Sequence, residues 1–476
     1  MKTWTSKERY APYASYSPAE LECLQKRQAG SIWHLNYHIQ PQSGLLNDPN
    51  GFAYFNQRWY LAYQNFPFGA VHGLKSWHYL SSPDLVHWRE EDLFLEPQSP
   101  YSTHGVYSGS ALPIDDQLFL MYTGNVRTPD GGRISTQVGN WLDQDQHLGT
   151  QEIPLIKQPA GYTANFRDPQ ILFVDGQYYA LIGAQTQSQK GAILLYQAAK
   201  PTGPWNLIGP LDLGEDLGFM IECPNLAFVD GQVALIFCPQ GLDRTQVPYA
   251  NIYPNMYLLA DGIDWQQAKL INPCPLQNFD EGFDCYATQV VNGPHKESYA
   301  ISWLSLPEIV YPTDQEDWQG CLSLVKQLHL QNGKLIQVPV TIPTSSEKFD
   351  PLHDKLRFNE VLTFDLKTLP TGTITLGNST EQLSFQFQAD QKTLTIDRQQ
   401  AGQAIISDYG DTRTIALDSG AHQLKLWLDA SSFELFLDGG QKVVSGRFFP
   451  TTNDWRIQTQ LNISVKITGQ RLQKIF

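Results

Sequence analysis

One pattern, a strand, a tight turn and a second strand, recurs down the first two thirds of the chain and limits the fold more than any other feature of the sequence. The copies are FAYFNQRWYLAYQ, ALPIDDQLFLMYT, ILFVDGQYYALIGA, LAFVDGQVALIFCP and, less regularly, VVNGPHKESYAISW. Their turns fall near Asn56, Asp115, Asp175, Asp230 and Asn292, a spacing of roughly 60 residues, about what a four-stranded blade requires. Five copies predict a five-bladed β-propeller. Hairpins at some spacing occur in any all-β protein, so the repeat taken alone leaves a sandwich open.

A second register favours the propeller. Seven or eight residues ahead of each turn stand Asp48 (NDPN), Ser108 (YSGS), Asp168 (RDPQ), Glu222 (ECPN) and Asp284 (FDCY). The strand nearest the central channel starts each blade, so equivalent positions on five blades gather around one axial mouth. Four acidic groups and a serine would then face one pocket, and like charges held that close are costly unless protonated, paired or hydrogen-bonded. The stretch LLNDPNG, by composition a turn, thereby gains a second reading in which Asp48 is a working carboxylate.

Beyond about residue 335 the texture changes. Residues 336–350 read as a linker, and residues 351–476 alternate polar and apolar positions as LTFDL, TITLG, LSFQFQ, TLTID, TIALD, LKLWLD, FELFLD and KVVSGRFF, the pattern of a β-sandwich. Residues 1–30 carry SPAELECLQKRQ, whose Ser-Pro start and Glu three residues after the Ser predict a short helix outside the propeller. The expected fold is therefore all-β: a helical segment over 1–30, a propeller over 31–335, the linker and the sandwich.

A net charge of −15 lacks the basic face that nucleic acid or an anionic membrane would need, so a neutral small molecule is the better partner. The N-terminus MKTWTSKERYAPYASYSP has no apolar core of a signal peptide, and no apolar run reaches membrane-spanning length, which predicts a cytoplasmic protein. Six cysteines without Cys-x-x-Cys spacing suit reduced, mostly buried thiols. His34 and His38 in HLNYH lack a third ligand and a helical period, so they read as strand-surface residues and no metal is expected. With no phosphate loop, GxSxG elbow or HExxH helix, no cofactor is expected, and carboxylate-driven hydrolysis remains. Oligomeric state is not legible in one chain.

Cleaving a glycosidic bond takes one ionised and one protonated carboxyl group. Asp168 follows Arg167, whose charge would keep it ionised if the side chains meet, so it suits holding hydroxyls or stabilising charge. Glu222 lies among apolar residues in GFMIECPN, which favours its protonated form and makes it the better acid. Asp48 has Asn47 and the NDPN turn to hold it ionised and aimed, as a nucleophile requires.

LLNDPNG, YSGS, FRDPQ, IECPN and FDEGFDCYATQ resemble, in order and spacing, the signature blocks of the invertase family, glycoside hydrolase family 32, and YQNFPFGAVHGLKSWHYLSSPDLVHW is similar to its intracellular bacterial members. The resemblance implies a retaining hydrolase of β-D-fructofuranosides, acting on sucrose or sucrose 6-phosphate. In it Asp48 matches the nucleophile, Glu222 the acid/base and Asp168 the transition-state stabiliser. Asn47, Gln64, Trp77, Tyr107, Ser108, Arg167 and Trp303 match positions that line the sugar pocket. Asp284 fits either the fifth repeat position or a hydrogen-bonded structural support. Read from spacing alone, Trp77, Tyr107 and Trp303 lie in strand-like runs where aromatics belong to cores.

The chain departs from many relatives at His72, where they carry tryptophan, at Cys285 in place of Phe, and at Tyr107 in place of Phe. His72 and Lys75, in the loop FPFGAVHGLKSW, are placed to meet the leaving sugar or a phosphate on it. Fructosyl transfer, fructan exo-hydrolysis and a catalytically silent sugar-binding propeller stay open as alternatives.

Overall fold

The computed structural model describes residues 2–98, 100–214 and 216–476. Five antiparallel sheets follow one another along the chain, and the first strand of each is the innermost: Gly44–Phe55, Val106–Ile114, Tyr162–Val174, Met220–Val229 and Cys285–Asn292. These inner strands touch in cyclic order, the fifth returning to the first, which closes a five-bladed propeller. A short parallel pairing of Gly44 and Leu45 with Trp318 and Gln319 ties the end of the ring to its beginning. The last strand of the fifth blade, Lys334–Pro339, takes in residues that the sequence pattern assigns to the linker.

Four of the inner hairpins turn on two residues, because Phe55, Ile114, Val174 and Val229 pair with Arg58, Gln117, Gln177 and Gln232. The first turn residues, Asn56, Asp115, Asp175 and Asp230, have φ of 46°, 52°, 49° and 46°. Asn and Asp tolerate this left-handed conformation, which is why they mark the repeat. In the fifth blade Asn292 instead pairs with Ser298, so it is the last strand residue and the loop is 293–297.

Every inner strand also breaks register near its start, between Asn47 and Pro49, Val106 and Gly109, Arg167 and Gln170, Glu222 and Asn225, and Tyr286 and Gln289. Pro49, Pro169 and Pro224 cannot donate to the ladder, which accounts for three of these bulges. In the second blade Gly109 lies so close to the facing strand that a Cβ would stand 2.1 Å from the Met121 carbonyl oxygen. A bulge turns side chains out of the alternating pattern, and five of them at one end of the ring aim side chains into a common mouth.

The C-terminal sandwich packs two five-stranded sheets face to face over Leu362, Phe364, Phe385, Phe387, Leu426, Phe433 and their neighbours. Its contact with the propeller joins an apolar cluster, in which Tyr37, Val86 and Leu324 meet Val361, Trp427 and Phe436, to a fully buried polar network. Asp429 accepts from the backbone N–H groups of Asn36, Tyr37 and His38 at 2.7, 3.1 and 3.2 Å, and His38 bridges Asp429 and Glu434 at 2.9 and 3.0 Å. His38 is therefore an interdomain residue and not a strand-surface one.

The N-terminal segment forms helices Ser6–Arg9 and Pro18–Ala29, the second capped by Ser17, whose hydroxyl accepts from the Glu20 N–H. Its residues lie on loop 66–76: Tyr16 stacks on Phe68 at 3.7 Å, the Tyr13 hydroxyl donates to the Leu74 carbonyl at 2.6 Å, and the Leu74 N–H donates to the Arg9 carbonyl at 2.7 Å.

Candidate active site

Asp48, Asp168 and Glu222 come from the bulges of three different blades and meet at the mouth. One Asp48 oxygen accepts from the Ser108 hydroxyl and, at 3.3 Å, from the Gln64 amide. The Gln64 amide also reaches the Ser108 hydroxyl, and Asn47 donates to the Gln64 carbonyl at 3.2 Å. The Cys223 thiol stands 3.9 Å from Asp48 and 3.7 Å from Asp168, and the Cys223 N–H donates to Asp168 at 3.1 Å. Asp168 has φ of 65°, a left-handed conformation stabilised by its own N–H donating to the Thr123 hydroxyl at 2.9 Å.

Arg167 turns away from its chain neighbour. Its guanidinium donates to one Glu222 oxygen at 2.9 and 2.6 Å and stays 3.9 Å from Asp168. The other Glu222 oxygen accepts from Tyr286 at 2.6 Å and Gln240 at 2.7 Å. Burial raises the Glu222 pKa, but the Arg167 charge and the Tyr286 hydroxyl more than reverse this, and the group falls below the ordinary carboxylate value. Asp168 is pushed up to about 7, chiefly by burial, with the charges of Glu222 and Asp48 adding to it and Arg167 opposing. The electrostatic expectation drawn from chain neighbours is thus reversed: Arg167 holds Glu222 ionised, while burial makes Asp168 the carboxyl with the higher proton affinity.

Lys75 lies inside the mouth, only 6% exposed. Burial lowers its pKa to about 8 against the opposing pull of Asp48, Glu222 and Asp168. Its ammonium stands 5.6 Å from the centre of the Tyr107 ring. His72 is exposed, and its ring meets Trp303 edge-on at 6.4 Å.

Trp77 and Trp303, expected from the family resemblance to line the pocket, are corrected, and of the two readings of Asp284 the hydrogen-bonded support is the one observed. Trp77 is fully enclosed between the first two blades and donates its indole N–H to the Tyr107 carbonyl at 3.0 Å, so it braces the wall from behind and does not face the pocket. Asp284 is not the fifth mouth position. It is buried against the sandwich, where it accepts from the Tyr311 hydroxyl at 2.7 Å, the Arg447 N–H at 2.8 Å and the Arg398 guanidinium. Trp303 is likewise enclosed, 1% exposed, with its ring packed on Tyr286 at 6.5 Å.

Tyr286 holds the fifth position. The register break after Glu222 spans three residues to Asn225 and the one after Tyr286 three residues to Gln289, which makes the two counterparts on adjacent blades. Sequence reasoning missed both Tyr286 and Gln240. Tyr286 carried a signal in the block FDCYATQ, whereas Gln240 lies at a strand end with nothing local to mark it.

Carboxyl groups of unequal proton affinity gathered at the mouth of a propeller define a glycoside hydrolase. Residues 38–339 match the N-terminal domain of glycosyl hydrolases family 32, and residues 329–470 match that family's C-terminal domain. The chain is 46% identical to the sucrose-6-phosphate hydrolase of Pediococcus pentosaceus, over 98% of this chain and 96% of that one. The solved structure of sucrose-6-phosphate hydrolase from Lactobacillus gasseri superposes with a TM-score of 0.94 at 40% identity, covering 100% of both chains. A family 32 β-fructofuranosidase of Bombyx mori gives 0.84 at 25% identity, covering 98% of this chain and 99% of that one. The chain belongs to glycosyl hydrolase family 32.

Proposed function

We propose that the protein hydrolyses the β-D-fructofuranosyl bond of sucrose and of sucrose 6-phosphate with retention of configuration, using Asp48 as nucleophile, Glu222 as acid/base and Asp168 as the residue that grips the fructosyl ring. The observation that carries this reading is the convergence of the three carboxylates from three blades, with Arg167, Tyr286, Gln240, Gln64 and Ser108 fixing their orientation. Asp48, held by donors from Gln64 and Ser108, attacks the anomeric carbon. The bond to the leaving sugar breaks, and Glu222 gives its proton to the departing oxygen. Water then attacks the fructosyl ester, Glu222 takes its proton, and Asp48 is released.

The proton affinity of Glu222 is coupled to the ionisation of Asp168. Fructosyl hydroxyls donating to Asp168 favour its ionised form, and the negative charge so created beside Glu222 raises the affinity of Glu222 for the proton. Binding of the correct sugar therefore loads the acid. Six unpaired cysteines and a phosphorylated substrate both suit a reducing cell interior, in keeping with a cytoplasmic enzyme.

The test is to incubate the purified protein with sucrose and with sucrose 6-phosphate and to measure glucose, glucose 6-phosphate and fructose. Release from either substrate is the expected result. No release from sucrose, its 6-phosphate or short fructans overturns the reading.

A further inference from the structure

The chain carries a net charge of −15, yet one side of the mouth gathers Arg9, Lys75, Arg127 and Arg133, and among the described residues none of the four makes an ion pair with a carboxylate. They come from three parts of the chain: the N-terminal segment, loop 66–76 and the outer hairpin of the second blade. Lys75 and Arg133 meet at the Tyr107 ring, with the Lys75 ammonium 5.6 Å and the Arg133 guanidinium 5.7 Å from its centre, and the charges of Arg9 and Lys75 both act on His72. Tyr10, brought in by the N-terminal segment, accepts from Arg127 at 2.7 Å, and the Arg127 guanidinium lies 4.6 Å over its ring.

Three features of this cluster lack a structural explanation. Arg127 and Arg133 are directly paired across their two strands, an arrangement that destabilises a hairpin when both residues carry the same charge. The acid within that hairpin, Asp130, is spent on the turn itself, where it accepts from the Thr128 hydroxyl and the Gly132 N–H. Lys75 is more than nine-tenths buried and has no carboxylate within ion-pair distance among the described residues, while the buried Nε atoms of Arg9 and Arg127 have no hydrogen-bond partner. A dianion would resolve all three at once, because it supplies several acceptors and offsets the mutual repulsion of the cations.

We propose that Arg9, Lys75, Arg127 and Arg133, framed by Tyr10 and Tyr107, form a subsite for a phosphate monoester on the leaving sugar, and that the N-terminal segment is the element that completes it. This rests on the reading of the mouth as a fructoside hydrolase and adds which residues select the phosphorylated substrate. The subsite adjoins the catalytic carboxylates through Ser108, which follows Tyr107 in the chain and donates to Asp48. Lys75, felt by both the carboxylates and Arg133, sits at the junction of the two halves.

The experiment compares kcat/KM for sucrose 6-phosphate and for sucrose in the wild type, Arg133→Gln, Arg127→Gln and Arg133→Lys. Loss of one charge-assisted contact corresponds to about a tenfold to hundredfold fall in the preference for the phosphate ester. Arg133→Lys, which keeps the charge, retains most of that preference. Inorganic phosphate is the independent probe: it inhibits wild-type sucrose cleavage competitively, and Arg133→Gln weakens that inhibition by a similar factor. An unchanged preference ratio in both glutamine variants, or equal phosphate inhibition of wild type and variant, overturns the subsite. Wild-type cleavage of sucrose without any preference for the ester also overturns it while leaving the hydrolase reading intact. Cleavage of neither substrate would strike that reading instead.

Discussion

The mouth of the propeller and its interface with the sandwich both bury carboxylates beside cations, and they do so to opposite effect. At the interface one quartet sets two cations against two carboxylates. His38, Asp429, Glu434 and Lys326 have fully buried side chains, linked at 2.9, 3.0 and 3.5 Å. Burial alone would push both carboxyls up, but His38, together with Lys326 at Glu434, brings them below their ordinary values. At the mouth the pairing is incomplete. Arg167 is committed to Glu222, Asp168 is left high at about 7, and Lys75 low at about 8. The quartet offsets the cost of burying its carboxylates, whereas the mouth retains that cost at Asp168, and a group held near neutrality there can exchange a proton.

Removing Asp168 should separate the two regimes most sharply. Its folded pKa, raised above the ordinary 3.8, means that ionisation costs the folded state stability as pH rises toward about 7. Asp168→Asn should therefore raise the thermal midpoint above pH 7 while lowering kcat/KM on the order of 10³-fold, the scale for losing a preorganised electrostatic stabiliser. A variant that loses both activity and stability would contradict the contrast.

The reverse pattern is expected at the interface. Asp429→Ala strands His38 and the N–H groups of Asn36, Tyr37 and His38, and should cost about 3–5 kcal/mol in urea unfolding with the kcat of the folded enzyme nearly unchanged. A loss below about 1 kcal/mol would show that the interface tolerates an unmatched charge.

The pH dependence of that interface follows from His38. Burial lowers its pKa, but hydrogen bonds to Asp429 and Glu434 prevail and raise it from 6.5 to about 8. Its contribution is complete below pH 6.5 and is lost as pH rises through 8, worth about 2 kcal/mol in all. The urea midpoint of the wild type should fall across that window, and His38→Gln should remove the slope. An identical slope in the variant would assign it elsewhere.

The smallest expected effect is at Tyr286. Tyr286→Phe removes the 2.6 Å donor that stabilises ionised Glu222, so the basic limb of the kcat/KM profile should move to higher pH with a loss of about tenfold at the optimum. A basic limb that moves to lower pH would mean that the hydroxyl does not act on Glu222.

Tyr286 also shows how far the sequence could be read. The repeat was visible because two-residue turns demand Asn or Asp at a left-handed position, which stamps each of the first four blades at the same offset. The fifth blade has the longer loop 293–297, so counting back from Asn292 as though it were a turn residue reaches Asp284 and passes over Tyr286. The identity of the three carboxylates was legible because Asp48, Asp168 and Glu222 sit in the bulges themselves, next to proline or one residue ahead of a Cys-Pro pair. Their protonation was not, since Arg167 reaches across to the next blade instead of to its chain neighbour. Trp77 was misplaced by the family resemblance, whereas its strand-like surroundings alone pointed to the core it occupies between two blades.

The most direct test of the proposed catalytic roles uses Glu222→Ala with an aryl β-D-fructofuranoside whose leaving group needs no proton. Asp48 should still attack, while hydrolysis of the ester stalls without its base. Mass spectrometry of the digested protein is predicted to find one fructosyl group on the peptide containing Asp48, with azide restoring turnover. A fructosyl group on another residue, or fructose released with inverted anomeric configuration and no adduct, would contradict the account.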